Sequence, residues 1–294
     1  MTDEIAQNTE LDAALYVVAT PLGNADDLSP RARRILAAAD MVLAEDTRRT
    51  GQLFQRLGIP SHGFVSFHEH NEEKRTARVV EALEAGQSVA MVSDAGTPLL
   101  SDPGFTLVRA CRERGITVVP VPGPSAPLTA LSACGLPPLP FTFLGFPPRK
   151  AGDRHKFFAA HAQTGATLIF FERKNRLMET LQAAHDALGP REVCVARELT
   201  KTHEEFIHGR LDALTALDVP LLGEFTVVIG PPAEEAEAGR EAVLAAIEEE
   251  RRAGGKPRQV ARRVAERMAG WSTKDVYALM TGEGPAAQDD EPTA

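Results

Sequence analysis

Apolar residues along this chain come in two patterns that follow one another in turn. Short runs rich in β-branched side chains, each ended by residues that favour neither helix nor strand, predict buried strands at Leu15 to Ala19, Met41 to Ala44, Phe64 to Phe67, Ser88 to Val92 and Ile116 to Val121. Between them, apolar positions recur at helical spacing over Arg31 to Ala39, Gly51 to Leu57, Glu72 to Ala85, Phe105 to Arg114 and Ser125 to Ser132. Strand and helix in regular succession predict a parallel sheet with right-handed crossovers.

The succession breaks at Leu136 to Lys150, LPPLPFTFLGFPPRK, where several prolines forbid a helix and leave room for one short strand. It resumes with helix Asp153 to Gln163, strand Thr167 to Glu172, helix Asn175 to Leu188, strands Glu192 to Glu198 and Glu204 to Gly209, helix Leu211 to Leu217 and strand Glu224 to Ile229. Only a short connection separates Arg197 from Phe206, so those two strands are expected to run antiparallel. The fold class read from this is α/β, with an N-terminal α/β domain at 13–136, a junction at 137–150 and a C-terminal α/β domain at 151–232.

Past that point the chain predicts only helices. Glu234 to Glu250 is acidic and helical. Beyond Gly254-Gly255 comes a basic helix whose apolar face is Val260, Ala261, Val264, Ala265 and Met268, then a helix Thr273 to Met280 capped by Ser272. Two short helices joined by a Gly turn resemble a helix-turn-helix, and equally an ordinary helical hairpin, so residues 233–281 are set apart as a small helical segment. Residues 1–12 read as a polar, disordered tail and 282–294 as an acidic one.

Charge modifies this picture. The net charge of the 294 residues is −9, yet residues 1–12 carry −4 and residues 233–294 carry −4, which leaves the body at −1. Within that body, basic residues gather at Arg31, Arg33 and Arg34, at Arg48 and Arg49, at Arg149, Lys150, Arg154 and Lys156, and at Arg173, Lys174 and Arg176. A near-neutral body with basic patches suits phosphate binding, while acidic ends weaken non-specific attachment. No apolar run approaches the roughly 20 residues that span a bilayer, and the acidic start lacks a signal peptide, so a cytoplasmic location is expected and no membrane partner. Cys111, Cys134 and Cys194 lie far apart in apolar surroundings and read as reduced core residues; no metal site is expected from them or from His68-Glu69-His70.

Candidate chemistry sits where strands end. The strand at Val92 runs into Ser93-Asp94-Ala95-Gly96-Thr97-Pro98, and others run into Thr20-Pro21-Leu22-Gly23-Asn24, Pro122-Gly123-Pro124-Ser125-Ala126 and Glu172-Arg173-Lys174-Asn175. In open α/β sheets ligands bind beyond the carboxyl ends of the strands, so these loops are the first candidates for a site. The block Glu45-Asp46-Thr47-Arg48-Arg49-Thr50 sets two carboxylates and two guanidinium groups at another strand end, read either as functional or as a capped helix start with a solvated ion cluster.

These segments also carry a resemblance. TPLGNADDLSPRA at Thr20 to Ala32, AEDTRRT at Ala44 to Thr50, SFHEHNE at Ser66 to Glu72, the SDAGTP loop, PGPSA at Pro122 to Ala126, ARELTKTHEEFIHG at Ala196 to Gly209 and GEFTVVIG at Gly223 to Gly230 resemble, in wording and order, the bacterial 16S rRNA cytidine 2′-O-ribose methyltransferases of the tetrapyrrole methylase superfamily. The resemblance implies two α/β domains of that class III methyltransferase type with a cleft between them, S-adenosyl-L-methionine as methyl donor, 16S rRNA within the 30S subunit as partner, and a homodimer. It implies cofactor contacts from Pro21, Leu22, Gly23, Asp94, Gly96, Thr97, Pro98, Ser125, Ala126, Phe171, Ala196, Arg197, Glu198 and Thr226. Glu45, Asp46, Asp94 and Glu198 are the candidates for a catalytic base, with the choice left open, and Arg48, Arg49, Arg173 and Lys201 are suited to gripping RNA phosphates. Two other readings stand beside it. One is a tetrapyrrole C-methyltransferase of the same superfamily. The other is a ligand-sensing nucleic-acid-binding protein that acts through residues 256–281.

Overall fold

A computed structural model describes residues 11–233, 239–268 and 270–281. The tail readings lie outside these residues except for Leu11 and Asp12, as does the start of the acidic helix.

Strands β1 (Leu15–Val18), β2 (Met41–Ala44), β3 (Val65–Ser66), β4 (Val89–Val92) and β5 (Val118–Val121) form a wholly parallel sheet in the order β3-β2-β4-β1-β5. Helices α1 (Pro30–Ala38), α2 (Thr47–Leu57), α3 (Glu72–Glu84), α4 (Phe105–Glu113) and α5 (Ala126–Ala133) follow the strands in turn. Strand side chains alternate between faces, so Tyr16, Val18, Val42, Ala90 and Val92 pack with Ile35, Leu36 and Phe54. Their neighbours Leu15, Leu43, Val89 and Met91 pack on the opposite face with Val79, Val80, Leu83, Leu107 and Cys111. Helices on both faces explain why these strands read as continuous apolar runs.

A second sheet, β6 (Phe141–Phe143), β7 (Thr167–Arg173), β8 (Glu192–Arg197), β9 (Glu205–Arg210) and β10 (Glu224–Ile229), has the order β6-β7-β10-β8-β9. β6 pairs parallel with β7 and the remaining pairs are antiparallel, including the expected β8–β9 pair. Helices α6 (Ala151–Ala159) and α7 (Leu177–Leu188) cover one face through Phe158, Leu177, Leu181 and Ala184. The other face, Ile169, Cys194, Ala196 and Val228, packs against Ala130, Leu131 and Cys134 of α5 and its C-cap. The helix that follows the last strand of the first sheet thus packs on the second sheet, and residues up to Pro232 form a single compact unit. The stretch expected as a junction supplies β6 to the second sheet. At the end of β7, Glu172 is buried and accepts hydrogen bonds from Arg176 Nη2 at 2.7 Å, Thr180 Oγ1 at 2.6 Å and the Arg173 amide at 2.8 Å, which compensates its removal from water.

Several bounds differ from expectation for local reasons. α2 begins at Thr47, ahead of Gly51, because the Asp46 carboxylate accepts the Arg48 amide at 2.9 Å and caps the helix. Leu211–Ala216 is a 3-10 segment broken at Ala213 instead of an α-helix. α6 stops at Ala159, short of Gln163.

From Ala233 a second unit begins. Its helices α8 (Arg240–Arg252), α9 (Pro257–Arg267) and α10 (Thr273–Thr281) enclose a core of Val243, Ala246, Ile247, Val260, Ala261, Val264 and Val276. The expected cap is present, with the Ser272 hydroxyl accepting the Asp275 amide at 3.2 Å. Glu250 takes Arg263 at 2.6 Å and Arg267 at 2.7 Å, and Glu249 takes Arg267 at 3.1 Å, so part of the basic run is neutralised within the unit. Among the described residues no helix is long and apolar enough to cross a membrane. The three cysteines are buried, and burial pushes the Cys194 thiol up to about 12.

Candidate active site

Three loops leave adjacent strands of the first sheet and are tied to one another. Thr20 and Gly96 exchange backbone hydrogen bonds of 2.8 and 3.0 Å, joining the loops after β1 and β4, and the Thr20 hydroxyl donates to the Ser93 carbonyl at 3.3 Å. Gly96 holds φ +78°, a conformation that a residue with a Cβ takes only under strain, and a Cβ there would stand 3.2 Å from Leu22 Cδ2. The Thr97 hydroxyl donates to the Pro124 carbonyl at 3.0 Å and brings in the loop after β5. Pro21, Leu22, Gly23, Gly96, Thr97, Pro98, Ser125 and Ala126 are therefore placed by one bonded framework.

The second sheet contributes a row. Strand register sets Phe171 opposite Thr226 and Thr226 opposite Ala196, so three residues expected to touch a cofactor lie side by side on three strands. Ala196 packs in the same apolar cluster as Leu22 and Ala126 of the first-sheet loops. Phe171 meets Phe143 at 5.0 Å and Phe146 at 5.4 Å between ring centres. Arg197, one residue along β8, points its side chain to the opposite face, where it pairs with Glu205 at 3.2 Å. Ser125 is 8% exposed, and its hydroxyl has no hydrogen-bond partner among the described residues. An apolar floor with one unclaimed buried hydroxyl fits a nucleoside-bearing ligand that needs shape and a few polar contacts.

The loop after β8 closes on the first sheet from the other side. The Asn24 amide donates to Thr200 Oγ1 at 3.1 Å, and a Cβ on Gly23 would overlap the aliphatic stem of Lys201. Lys201 Nζ lies 3.0 Å from Glu198 and 2.9 Å from Glu224. Burial pushes the Glu198 carboxyl up, but hydrogen bonds from Lys201 and the Glu224 amide outweigh it and hold the group below the usual range.

At the ends of β2 and β4 a group of carboxylates behaves differently. Asp94 accepts the Asp46 amide at 3.1 Å and pairs with Arg49 at 3.1 Å, and its own amide lies 3.4 Å from Glu45 Oε2. Asp46 is held down to about 2 by hydrogen bonds from the Arg48 side chain and amide. Burial pushes Glu45 up, and the neighbouring Asp94 charge adds to it; burial also raises Asp94, with Arg49 opposing. Asp102, which the sequence reading passed over, is pushed up to about 7 by burial and then by the charges of Glu45 and Asp94, with the Ser93 hydroxyl opposing. Its place in the SDPG turn gave no signal of this. The signal lies in the path of the chain: Leu99 and Ser101 hold φ +73° and +70°, and Glu198 and Thr200 hold +51° and +64°. These are the described non-glycine residues with left-handed backbone, and all fall in the loops after β4 and β8. No group of His, Cys, Asp and Glu able to hold a metal ion occurs among the described residues.

A stability consequence follows from Asp102. Its carboxyl ionises near 7 in the folded chain against an ordinary 3.8, so between these values the folded state binds a proton that the unfolded state has released. The stabilising contribution is fully present below 3.8 and is lost as pH rises through about 7. Relative to Asp102→Asn, the unsubstituted chain should lose melting temperature between about pH 4 and about pH 7 and level off above that, and parallel melting curves would remove the assignment.

With this geometry in hand, kinship is informative. Residues 14–215 match the family model of tetrapyrrole (corrin/porphyrin) methylases. The "Ribosomal RNA small subunit methyltransferase I" of Mesorhizobium japonicum is 50% identical over 232 residues, covering 77% of this chain and 78% of that protein. Among solved structures, the methyltransferase CobJ superposes with a TM-score of 0.58 at 19% identity, covering 76% of this chain and 97% of that one. The uroporphyrin-III C-methyltransferase of Thermus thermophilus, complexed with S-adenosyl homocysteine, superposes with a TM-score of 0.53 at 19% identity, covering 74% of this chain and 97% of that one. At that identity the structures speak for the fold alone, whereas the extent and identity of the sequence match place the chain more narrowly: it belongs to the ribosomal RNA small subunit methyltransferase I family, within the tetrapyrrole methylases.

Proposed function

We propose that this chain transfers a methyl group from S-adenosyl-L-methionine to the 2′-oxygen of a cytidine in 16S rRNA of the small ribosomal subunit. The observation that carries the reading is the meeting of the bonded loop framework with the Phe171–Thr226–Ala196 row, directly beside carboxylates whose basicity is raised. The name of the half-identical relative supports RNA, rather than a tetrapyrrole, as the class of substrate.

When bound, the cofactor supplies a sulfonium methyl that already carries the activating positive charge. Leu22, Ala126, Ala196 and Phe171 would wall its apolar parts, and the Ser125 hydroxyl and main-chain groups around Gly96 would bind its polar ones. A ribose hydroxyl is a poor nucleophile until its proton leaves, so alignment and a proton acceptor divide the work. Asp46 is committed to its helix cap and Arg48, and Glu198 to Lys201 and the Glu224 amide. Glu45 is the less encumbered candidate, meeting only a long contact from the Asp94 amide, and we assign it as the proton acceptor. Arg48 and Arg49 are each tied to a carboxylate, and Lys201 bridges two, whereas Arg173 is exposed and forms no ion pair with the described residues. In the C-terminal unit the basic residues left over after Glu249 and Glu250 are satisfied, including Arg252, Lys256 and Lys274, are suited to further RNA phosphates.

The deciding experiment supplies small ribosomal subunits with methyl-labelled cofactor and digests the RNA to nucleosides. Label should appear in 2′-O-methylcytidine; label on a base, or on a tetrapyrrole in place of RNA, would overturn the proposal. Glu45→Gln should lower kcat by about 100-fold or more while leaving cofactor affinity in place. Gly96→Val should fold, since the strands carry the core, yet lose cofactor affinity by at least about 10-fold in calorimetry because the branched side chain strains the backbone and presses on Leu22. Unchanged affinity in a folded Gly96→Val chain would mean the loops are not the binding floor.

A further inference from the structure

Beside the candidate site, one aromatic ring is left half uncovered on a backbone that has little freedom to move. Phe146 is 48% exposed. Its inner side leans on Phe171, which in turn meets Phe143. The preceding carbonyl, of Gly145, accepts the Phe171 amide at 2.9 Å, and a Cβ on Gly145 would stand 3.1 Å from Ser101 Oγ, so the segment is in contact with the loop after β4. On the following side the Pro147 carbonyl accepts Arg176 Nη2 at 2.8 Å, and Arg176 is fastened to the buried Glu172. The Arg149 carbonyl accepts Arg154 Nη1 at 3.5 Å.

The charges around the ring are divided in a telling way. Of the basic residues in this part of the chain, Arg154 and Arg176 are spent on Glu179 and Glu172. Arg149, Lys150, Arg173 and Lys174 are exposed and form no ion pair with the described residues. An exposed ring held rigid among unpaired cations suits a single-stranded nucleic acid, whose bases present π faces and whose backbone is anionic. It suits a protein partner or an apolar ligand poorly, since covering the ring would bury the cations with it.

We infer that Phe146 is a stacking platform for a nucleobase of the RNA, with Arg149, Lys150, Arg173 and Lys174 taking the phosphates on either side. The inference rests on the proposed RNA substrate and adds to it the residue that orients a base next to the methyl-transfer site. A stacked base fixes its nucleotide about the strand, which is the alignment the displacement needs.

The test uses the full chain and small ribosomal subunits, with binding read by filter retention and therefore independently of methyl transfer. Phe146→Leu keeps an apolar side chain and Phe146→Ala removes it, while Phe146→Tyr keeps the ring. The first two should weaken subunit binding by about 5- to 100-fold, and Phe146→Tyr should restore it. Affinity for S-adenosyl homocysteine, measured by calorimetry, should stay within about twofold in all three, whereas a ring that serves only to pack on Phe171 would change that affinity. Subunit binding by Phe146→Leu equal to that of the unsubstituted chain would overturn the platform, whatever the activity. Ring-sensitive binding without any methyl transfer would leave the platform standing and sink the proposed reaction instead.

Discussion

Two parallel strands stop pairing when they leave their sheet, and what their chains do next decides whether a crevice has fixed walls. Here the loops after β1 and β4 turn towards each other and form one reciprocal pair of hydrogen bonds between Thr20 and Gly96. That pair requires φ +78° at Gly96, and it sets Leu22 over the glycine and Thr97 within reach of the Pro124 carbonyl. Through Leu22 and Ala126 the same framework abuts Ala196 in the second sheet. Because α5 already packs on that sheet, the floor of the site is set by a core that joins α5 and Leu22 to the second sheet rather than by loops alone. A crevice built this way is largely formed before its ligand arrives, which spares the cost of ordering it on binding.

The electrostatics of the site depend on how five carboxylates are divided between pairing and burial. Asp46 and Glu198 are bonded to cations and amides and are stabilised in their charged form. Glu45, Asp94 and Asp102 are raised first by burial; the Asp94 charge adds to the rise at Glu45, and the charges of Glu45 and Asp94 add to it at Asp102. For Asp102 the rise from 3.8 to about 7 corresponds to a penalty on the order of a few kcal/mol on the ionised form. Left-handed backbone at Leu99 and Ser101, in the loop that carries Asp102, costs about 1–3 kcal/mol for each residue. Against a typical total stability of roughly 5–15 kcal/mol these are large sums to concentrate in one loop.

Much of this was legible in the residues and some was not, for identifiable reasons. β2 and β10 have the expected bounds because each apolar run ends in residues with no place in a strand. Thr226, Phe171 and Ala196 were expected separately, from resemblance. Their lying in one row is a matter of register, and register is set by β10 inserting between β7 and β8 from the far end of the chain. The early start of α2 turned on one side chain, Asp46, acting as a cap when its run of charges read equally well as site chemistry. Asp102 was hidden because burial is not local: its shift comes first from burial and then from the charges of Glu45 and Asp94, and Glu45 belongs to the end of a different strand. Arg197 was expected at the ligand, yet strand alternation turns its side chain away from the face that bears Ala196.

The basic residues show most plainly why a count of charge says little until the fold allocates it. Arg176 and Arg173 are three positions apart, but Arg176 reaches a buried carboxylate and stays with it, while Arg173 ends its strand in solvent. The same division recurs in the C-terminal unit, where Arg263 and Arg267 face Glu250. A guanidinium that satisfies a carboxylate of its own chain has lost most of its attraction for an outside phosphate, because the displaced carboxylate would have to be resolvated or left unpaired. The charge available to an outside phosphate is therefore not that of all lysines and arginines but of the remainder after internal pairing, and one part of that remainder, Arg149, Lys150, Arg173 and Lys174, lies on the segments that carry Phe146 and Phe171. A chain of net charge −9 can on this account bind a polyanion without being basic overall, since what an approaching phosphate meets is the local, unpaired charge within about one Debye length and not the sum over distant acidic ends.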